Sequence, residues 1–325
     1  MPDLPSFDDL PVGNGKPAGS SWGLWGDDDV LGTLNLLTPE RVTRGAACVR
    51  KGVVFPMNLD MHLPDPPMFG REPFKHEVIW LQNEAGHDEH LHGWNTQSSS
   101  QWDGFRHIKH PVHGFYNGIA DEEHGIHHWA KRGIAGRAVL ADVARWREGQ
   151  GRPIQANTPD PIEPTDITST LETQGVSVEP GDVLLVRTGW MSFYRSLDAE
   201  ARVAYNAEGH PCAGLRPGEP MWRLLWDLHI SAIGADNPAV EVWPPASFVA
   251  PEELQQIIAN PERLDEAFMH MRLLPLFGLP LGEFFDLDAL AEDCASDGVY
   301  ESFFTSAPLN LHAGVASPPN ALAIK

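Results

Sequence analysis

The sequence contains little cysteine and few basic side chains. Its 325 residues include three cysteines, and 23 lysines and arginines against 45 aspartates and glutamates. Cys48, Cys212 and Cys294 are too far apart to suggest a disulfide framework or a zinc-knuckle spacing. A net charge of -22 repels phosphate backbones and anionic membranes. We therefore expect buried thiols in a reducing compartment, a small-molecule substrate, and neither a nucleic-acid nor a membrane partner.

Targeting segments and long apolar runs are lacking as well. Residues 1–21 are rich in Pro, Gly and Asp, without the basic and apolar regions of a secretory signal. No apolar run reaches the ~18 residues that a membrane span needs. These patterns predict a cytoplasmic protein whose residues 1–21 form an extended arm. Strand and helix patterns alternate across residues 22–325, which predicts one α/β domain.

Local patterns predict several elements. Thr38 followed by proline and glutamate is typical of a helix start, and residues 165–174 have a helical pattern closed by glycine. The apolar run 182–187 predicts a strand buried on both faces, so Arg187 at its end should pair with a carboxylate. Residues 65–136 are histidine-rich and loop-like, and long loops of this kind usually carry function.

Common motifs for cofactor binding or for a nucleophilic serine are either absent or lack the structural context that they require. Residues 19–23 read GSSWG and match the G-x-S-x-G pattern, but no strand precedes them, as a serine-hydrolase elbow requires. There is no complete dinucleotide fingerprint, P-loop, C-x-x-C or H-E-x-x-H. We therefore expect no organic cofactor.

Histidine is concentrated in one stretch of the chain. Imidazole is both a frequent metal ligand and a base near neutral pH, so such a cluster marks a candidate site even though any single member is more simply an exposed loop residue. Nine of the 15 histidines fall here: His87, His90, His92, His107, His110, His113, His124, His127 and His128.

Within this cluster, residues 97–107 read QSSSQWDGFRH. The segment resembles the H-x-G-T-H-x-D-x-x-x-H signature of the cyclase family, which includes bacterial kynurenine formamidases, isatin hydrolases and polyketide cyclases. Asp103 and His107 match the aspartate and the last histidine, whereas Gln97 and Gln101 stand where the family has its first two histidines. Weaker resemblances follow the family's order at residues 25–35, 181–190, 233–236, 270–274, 282–283 and 307–320.

The resemblance implies a swivelling β/β/α fold with a mixed sheet, usually in a homo-oligomer, here a dimer or tetramer. It also implies metal-dependent hydrolysis or ring closure at an amide, lactone or related carbonyl. Asp103, His270 and Glu283 are the implied metal ligands, joined by Gln101 through its amide. His107 is the implied acid and base beside the ion.

The two glutamines leave open whether a metal is bound and which metal it would be. A neutral amide oxygen is a weaker, harder donor than imidazole, so zinc should be disfavoured relative to Mn²⁺, Mg²⁺ or Ca²⁺. Alternatively, Gln97 and Gln101 hydrogen-bond the substrate and His107 works with Asp103 without metal. The same substitutions suit a metal-free binding protein on this fold, and a cyclase or dehydratase that closes a ring without net hydrolysis is a further alternative.

Aromatic side chains near the motif suggest the kind of substrate. The chain has 11 tryptophans, and a flat aromatic wall fits an aromatic substrate. We predict Trp94, Trp102 and His127 as substrate-binding residues together with the two glutamines. In the competing interpretation the tryptophans are core residues and His127 holds its loop in place.

Overall fold

Short apolar segments build the main sheet. The computed structural model describes residues 4–245 and 247–325. Its parallel centre consists of segments such as Val183–Val186 and Ala232–Ala235, which are buried along their whole length. The strands of the described residues are β1 Val54–Pro56, β2 Lys75–Trp80, β3 His87–His92, β4 Gln101–Asp103, β5 Ile134–Ala141, β6 Pro161–Ile162, β7 Val183–Val186, β8 Gly214–Leu215, β9 Ala232–Ala235, β10 Leu281–Glu283, β11 Glu301–Ser306, β12 Ala316–Ser317 and β13 Ala321–Ile324.

The main sheet has nine strands in the order β1-β13-β11-β5-β7-β9-β10-β4-β12. Strands β5, β7, β9 and β10 run parallel to one another, and antiparallel strands flank them on both sides. Two small pairs, β2 with β3 and β6 with β8, lie outside it. The expected α/β fold on a mixed sheet is confirmed.

Helices flank the sheet, and some of them begin at a residue whose side chain caps the first turn. Thr38 accepts a hydrogen bond from the Arg41 backbone N–H at the start of the first helix, and Asp198 caps another in the same way. The helices of the described residues are α1 Pro39–Ala46, α2 Ile126–Arg132, α3 Val143–Gly149, α4 Pro164–Gln174, α5 Trp190–Ser196, α6 Ala199–Ala207, α7 Glu219–Asp227, α8 Pro251–Ala259, α9 His270–Leu273 and α10 Asp288–Asp297.

Three local predictions are confirmed. The helix after Thr38, the helix ending at Gln174 and the buried strand β7 all form. Arg187 has two carboxylate partners, since its Nη1 lies 3.0 Å from Asp142 Oδ1 and its Nε 2.9 Å from Asp288 Oδ1. The ion pair satisfies a guanidinium that a buried strand would otherwise leave without a partner.

The prediction that residues 65–136 are loop-like is wrong in part. This stretch contains the β2–β3 hairpin, strand β4 and helix α2. The hairpin is almost wholly exposed, with Trp80 62% exposed, so its sequence lacks the alternation of buried and polar residues that marks most strands. Its strands are linked instead by cross-strand pairs such as His92 with Glu77.

The N-terminal segment lies against helix α7 and the residues after α9. The ring of Phe7 packs edge-on against Phe277 at 6.1 Å, and its backbone N–H donates to Asp227 Oδ1 at 2.7 Å. Trp226 Nε1 donates to the carbonyl of Pro5 at 2.8 Å. The arm boundary at residue 21 stays a prediction. Among the described residues, no helix has the length and apolar character needed to span a membrane.

Candidate functional site

The pairing of β4 with β10 places carboxylates and an amide side by side. In this antiparallel pair Gln101 lies opposite Glu283 and Asp103 opposite Leu281. Gln101 Nε2 donates to Glu283 Oε2 at 2.6 Å and to Asp103 Oδ1 at 3.1 Å. All three polar side chains are buried. Asp103 and Glu283 are therefore held close together where β4 pairs with β10, and the amide nitrogen of Gln101 bridges them.

His270, at the start of α9, completes the buried group. Its Nε2 lies 3.1 Å from Glu283 Oε1 and 3.6 Å from Asp103 Oδ2. Its Nδ1 lies 2.5 Å from Glu241 Oε1, and Glu241 also accepts the backbone N–H groups of Met269 and His270. Glu241 is fully buried. It therefore fixes both the start of α9 and the orientation of the imidazole ring.

Gln97 connects Asp103 to His107. Its Nε2 lies 2.7 Å from Asp103 Oδ1 and 3.0 Å from His107 Nδ1. Because an ionised carboxylate only accepts hydrogen bonds, the amide must turn its NH₂ group toward Asp103. The same group then donates its second hydrogen to His107 Nδ1, so a neutral His107 carries its proton on Nε2. This nitrogen lies 3.9 Å from Asp103 Oδ2.

Burial and neighbouring charges shift the pKa values of these groups in different directions. Burial alone would raise the pKa of Asp103, but the neighbouring histidines outweigh it and hold the pKa at about 2. Burial and the charge of Asp103 raise the pKa of Glu283 to about 7. Burial lowers the pKa of His107. Burial would also lower the pKa of His270, yet the surrounding carboxylates raise it well above its ordinary value. At neutral pH His107 is thus neutral and Asp103 ionised.

The donor set fits a divalent cation. One ligand atom each from Asp103, His270 and Glu283 lies within 4.8 Å of the other two. Asp103 Oδ2 and Gln101 Oε1 are buried without a hydrogen-bond partner among the described residues. Two carboxylates and one imidazole, joined by the Gln101 amide oxygen if that amide turns over, suit a hard ion such as Mn²⁺ or Mg²⁺ better than zinc.

A cavity of about 330 Å³ opens onto these groups. Gln97, His107, His270 and Glu283 lie on its polar side, and Phe69, Trp243 and Phe268 supply aromatic surface. Arg71 and Ala239 complete the lining. This size is within the range of small-molecule pockets.

A larger cavity, of about 510 Å³, lies elsewhere, between α7 and α8. Three of the glutamates that line it are in ion pairs with arginines. It contains no histidine and no buried acidic group. The smaller cavity, which joins aromatic walls to buried acid and base groups, is the better candidate site.

Six of the predicted site residues come together and three lie elsewhere. The first set comprises Gln97, Gln101, Asp103, His107, His270 and Glu283. The structure places Trp102, Trp94 and His127 outside the cavity lining. Their positions have separate physical reasons.

Trp102 lies between two site residues on β4, and successive side chains of a strand point to opposite faces. Its ring is therefore in the core against Phe285 and Phe304, where Nε1 donates to Ser306 Oγ at 2.9 Å. Trp94 lines a separate small pocket beside Leu59.

His127 lies on α2. Its Nδ1 accepts the backbone N–H of Ala313 at 3.2 Å, and its ring packs against His312. These contacts match the competing interpretation, in which His127 holds a loop in place.

Glu241, Arg71, Phe69 and Phe268 were not predicted for the site. A signal existed for Glu241, because it follows the carboxyl end of β9, where open α/β sheets place ligand sites. Arg71 and Phe69 precede the β2–β3 hairpin in a loop that carries no local pattern. Trp243, one of the tryptophans near the motifs, does line the cavity.

The fold and the sequence both match known proteins. The Cyclase family model matches residues 53–242. A crystal structure described as a novel cyclase has a TM-score of 0.78 and 27% identity, covering 94% of this chain and 97% of the other. A search of curated proteins gives no significant match.

Isatin hydrolases share the fold at lower identity. Isatin hydrolase A from Ralstonia solanacearum has a TM-score of 0.55 and 17% identity, with 84% of this chain and 92% of the other covered. Isatin hydrolase A from Labrenzia aggregata, bound to benzyl benzoate, gives 0.54 and 16%, with coverage of 86% and 94%. The family match spans more than half of the 325 residues, so the chain belongs to the cyclase family.

Proposed function

We propose that this protein is a hydrolase that cleaves a C–N or C–O bond at the amide, lactone or related carbonyl of a small aromatic molecule. The observation that carries the proposal is the convergence of Asp103, His270 and Glu283, buried and mutually close, beside a neutral His107. A protein that only binds a ligand has little need for this set of acid and base groups.

His107 is suited to stabilise charge on the leaving atom. The amide of Gln97 fixes its tautomer, so the neutral ring presents Nε2–H as a hydrogen-bond donor to the leaving nitrogen or oxygen. The Glu283 carboxylate, whose pKa of about 7 suits a base at neutral pH, takes one proton from the attacking water and passes it to the leaving atom as the acyl bond breaks. Asp103 accepts the other hydrogen of the Gln97 amide at 2.7 Å and so holds this arrangement in place. The hydroxyl of the water ends on the acyl carbon, its other proton ends on the leaving atom, and Glu283 is restored.

Asp103, Gln101, His270 and Glu283 would hold a divalent cation in this site. Such an ion, when bound, polarises the substrate carbonyl and makes water more acidic. Glu241 orients His270 in either case, because its hydrogen bond to Nδ1 leaves Nε2 directed at the two carboxylates. Amide and carboxylate oxygens favour Mn²⁺, Mg²⁺ or Ca²⁺ over Zn²⁺.

The walls of the cavity support an aromatic substrate. Phe69, Trp243 and Phe268 provide apolar surfaces for a flat ring. Isatin, and aromatic esters such as benzyl benzoate, combine a ring with a hydrolysable carbonyl and are suitable first substrates. A cytoplasmic homo-oligomer remains the expected working form.

The proposal is tested by replacing His107. His107→Ala should keep the fold and lower turnover of isatin or benzyl benzoate by about 10² to 10³, the usual effect of losing a hydrogen-bond donor to charge that develops in the reaction. Product release is followed by chromatography and mass spectrometry. Hydrolysis of isatin opens its ring and gives a product heavier by one water, and hydrolysis of benzyl benzoate gives an acid and an alcohol whose masses together exceed the substrate by one water. Ring closure leaves the mass unchanged or lower.

The matched control is His90→Ala, which removes an exposed histidine on β3. Turnover by this variant should equal that of the wild type. Turnover by His107→Ala at the wild-type rate would remove His107 from the mechanism and contradict the proposal.

A further inference from the structure

Arg71 is a cation that faces the cavity without a carboxylate partner. Its Nη1 donates to the backbone carbonyl of Gln97 at 2.5 Å, and its Cζ lies 5.0 Å from the centre of the Phe69 ring. No ion pair of Arg71 exists among residues 4–245 and 247–325. The stacking on Phe69 and the bond to Gln97 hold the planar guanidinium at the wall of the pocket.

Most arginines of this acidic chain are in ion pairs, for example Arg137 with Asp182 at 2.8 Å and Arg187 with Asp288 at 2.9 Å. Among the arginines of residues 4–245 and 247–325 that have no ion pair, Arg71 is the one that lines this cavity. Carboxylates are therefore abundant, yet none is placed on Arg71. The remaining N–H donors of its fork are directed to what occupies the cavity or to solvent.

The carboxylates nearest the cavity already have other donors. Glu283 accepts from Gln101 and faces His270, and Asp103 accepts from both glutamines. They do not use the donors of Arg71. A ligand carboxylate could thus occupy the fork of the guanidinium, which matches its two oxygens with two parallel N–H groups.

We propose that Arg71 binds a carboxylate of the aromatic ligand while Phe69, Trp243 and Phe268 hold its ring. The inference rests on the proposed function in taking this cavity as the substrate site. The carboxylate has two sources in a hydrolase of this kind: a substituent on the substrate, or the acid that hydrolysis produces at the acyl carbon. Both present the same planar anion to Arg71.

Binding measurements test this without turnover. We expect wild-type protein, titrated calorimetrically, to bind benzoate at least about 10-fold more tightly than neutral benzamide, the scale of a charge-assisted hydrogen bond. Arg71→Met should weaken benzoate by about 10- to 100-fold and benzamide by less than about 2-fold. Arg71→Lys keeps the charge and can reach the Gln97 carbonyl, so it should bind benzoate with intermediate affinity.

Arg50→Met is the charge-matched control, because Arg50 is exposed and is not among the residues that line the cavity. It should bind benzoate as the wild type does. Equal wild-type affinities for benzoate and benzamide would overturn the inference. So would a loss of both ligands to the same extent in Arg71→Lys and Arg71→Met, since a purely structural role of Arg71 predicts that result.

A third ligand distinguishes the two sources. Monomethyl terephthalate carries its carboxylate away from an ester carbonyl. Binding at least about 10-fold tighter than benzoate supports a carboxylate substituent on the substrate, and equal or weaker binding supports a carboxylate product. Whichever source is correct, the inference requires that Arg71→Met weakens the binding of benzoate. Hydrolysis itself is tested separately by His107→Ala, so failure of this inference leaves the proposed function standing.

Discussion

Two glutamine amides lie at the centre of the candidate site, where each NH₂ group faces carboxylates. Gln101 Nε2 lies between Glu283 and Asp103, and Gln97 Nε2 reaches Asp103. Each amide supplies hydrogen-bond donors close to where a cation would neutralise the acids. The Oε1 atom of Gln101, which is buried without a partner, becomes a ligand if the amide turns by half a rotation.

Restoring imidazoles at both positions should change the metal preference. Gln97→His with Gln101→His replaces two amides beside the carboxylates by two imidazoles, whose nitrogen atoms zinc prefers as ligands. We expect zinc affinity to rise by about 2–3 kcal/mol or more, roughly 100-fold, in calorimetric titrations of wild type and double variant.

Surface histidines also bind zinc, so this experiment needs a matched pair. Gln255→His with Gln256→His places two histidines on exposed positions of α8. The pair should leave the affinity of the tight site unchanged. If Gln97→His with Gln101→His has no larger effect than this control, the two glutamines do not face the ion site.

At the scale of elements, the site depends on how closely β10 approaches β4. Gly282 lies opposite Trp102 in this pair. A Cβ at Gly282 would come within 2.7 Å of Phe285 Cζ and 3.0 Å of Trp102 Cζ3. Both rings are buried and packed against each other at 5.1 Å, so neither has room to move. The missing side chain is what allows Glu283 to approach Gln101 closely.

Gly282→Ala should therefore strain this strand pair. Overpacking of a well-filled core costs about 1–3 kcal/mol, and we expect the free energy of unfolding in urea to fall by that amount. Gly149→Ala, at the end of α3 with open space around the new methyl group, is the control. It should be neutral or slightly stabilising. Equal effects of the two substitutions would mean that β10 shifts freely and does not fix the site.

Helices and strands that are determined by a few neighbouring residues could be predicted from the sequence. The strand pairing that forms the site could be predicted only in part. The cap at Thr38 and the apolar run of β7 act over a few residues. The approach of Glu283 to Asp103 depends on a register between strands 180 residues apart, which only the family resemblance indicated. Trp102 was misassigned because β4 was taken as a loop, where alternation does not apply.

At the scale of the whole molecule, the charge is strongly one-sided. A chain of this length has a radius of gyration of about 20 Å. Over that span 45 acidic and 23 basic groups leave a net charge of -22, so the compact state repels itself. Close ion pairs act against this repulsion, such as Arg187 with Asp288 at 2.9 Å. The repulsion acts over longer distances than the ion pairs do, so added salt should weaken the repulsion more than the ion pairs.

Raising NaCl from 10 to 100 mM shortens the Debye length from about 30 Å to about 10 Å. The new length still exceeds the contact distance of the ion pairs, so they are little affected. It falls below the size of the molecule, so the long-range repulsion is largely screened. We therefore expect salt to stabilise the protein, by about 1 kcal/mol or more, which raises the melting temperature by roughly 2 °C or more in calorimetry. The same rise should occur in KCl at equal ionic strength, because the effect depends on screening and not on the ion. A melting temperature that falls across this range would show that the attractive pairs dominate and that the acidic excess does not destabilise the folded chain.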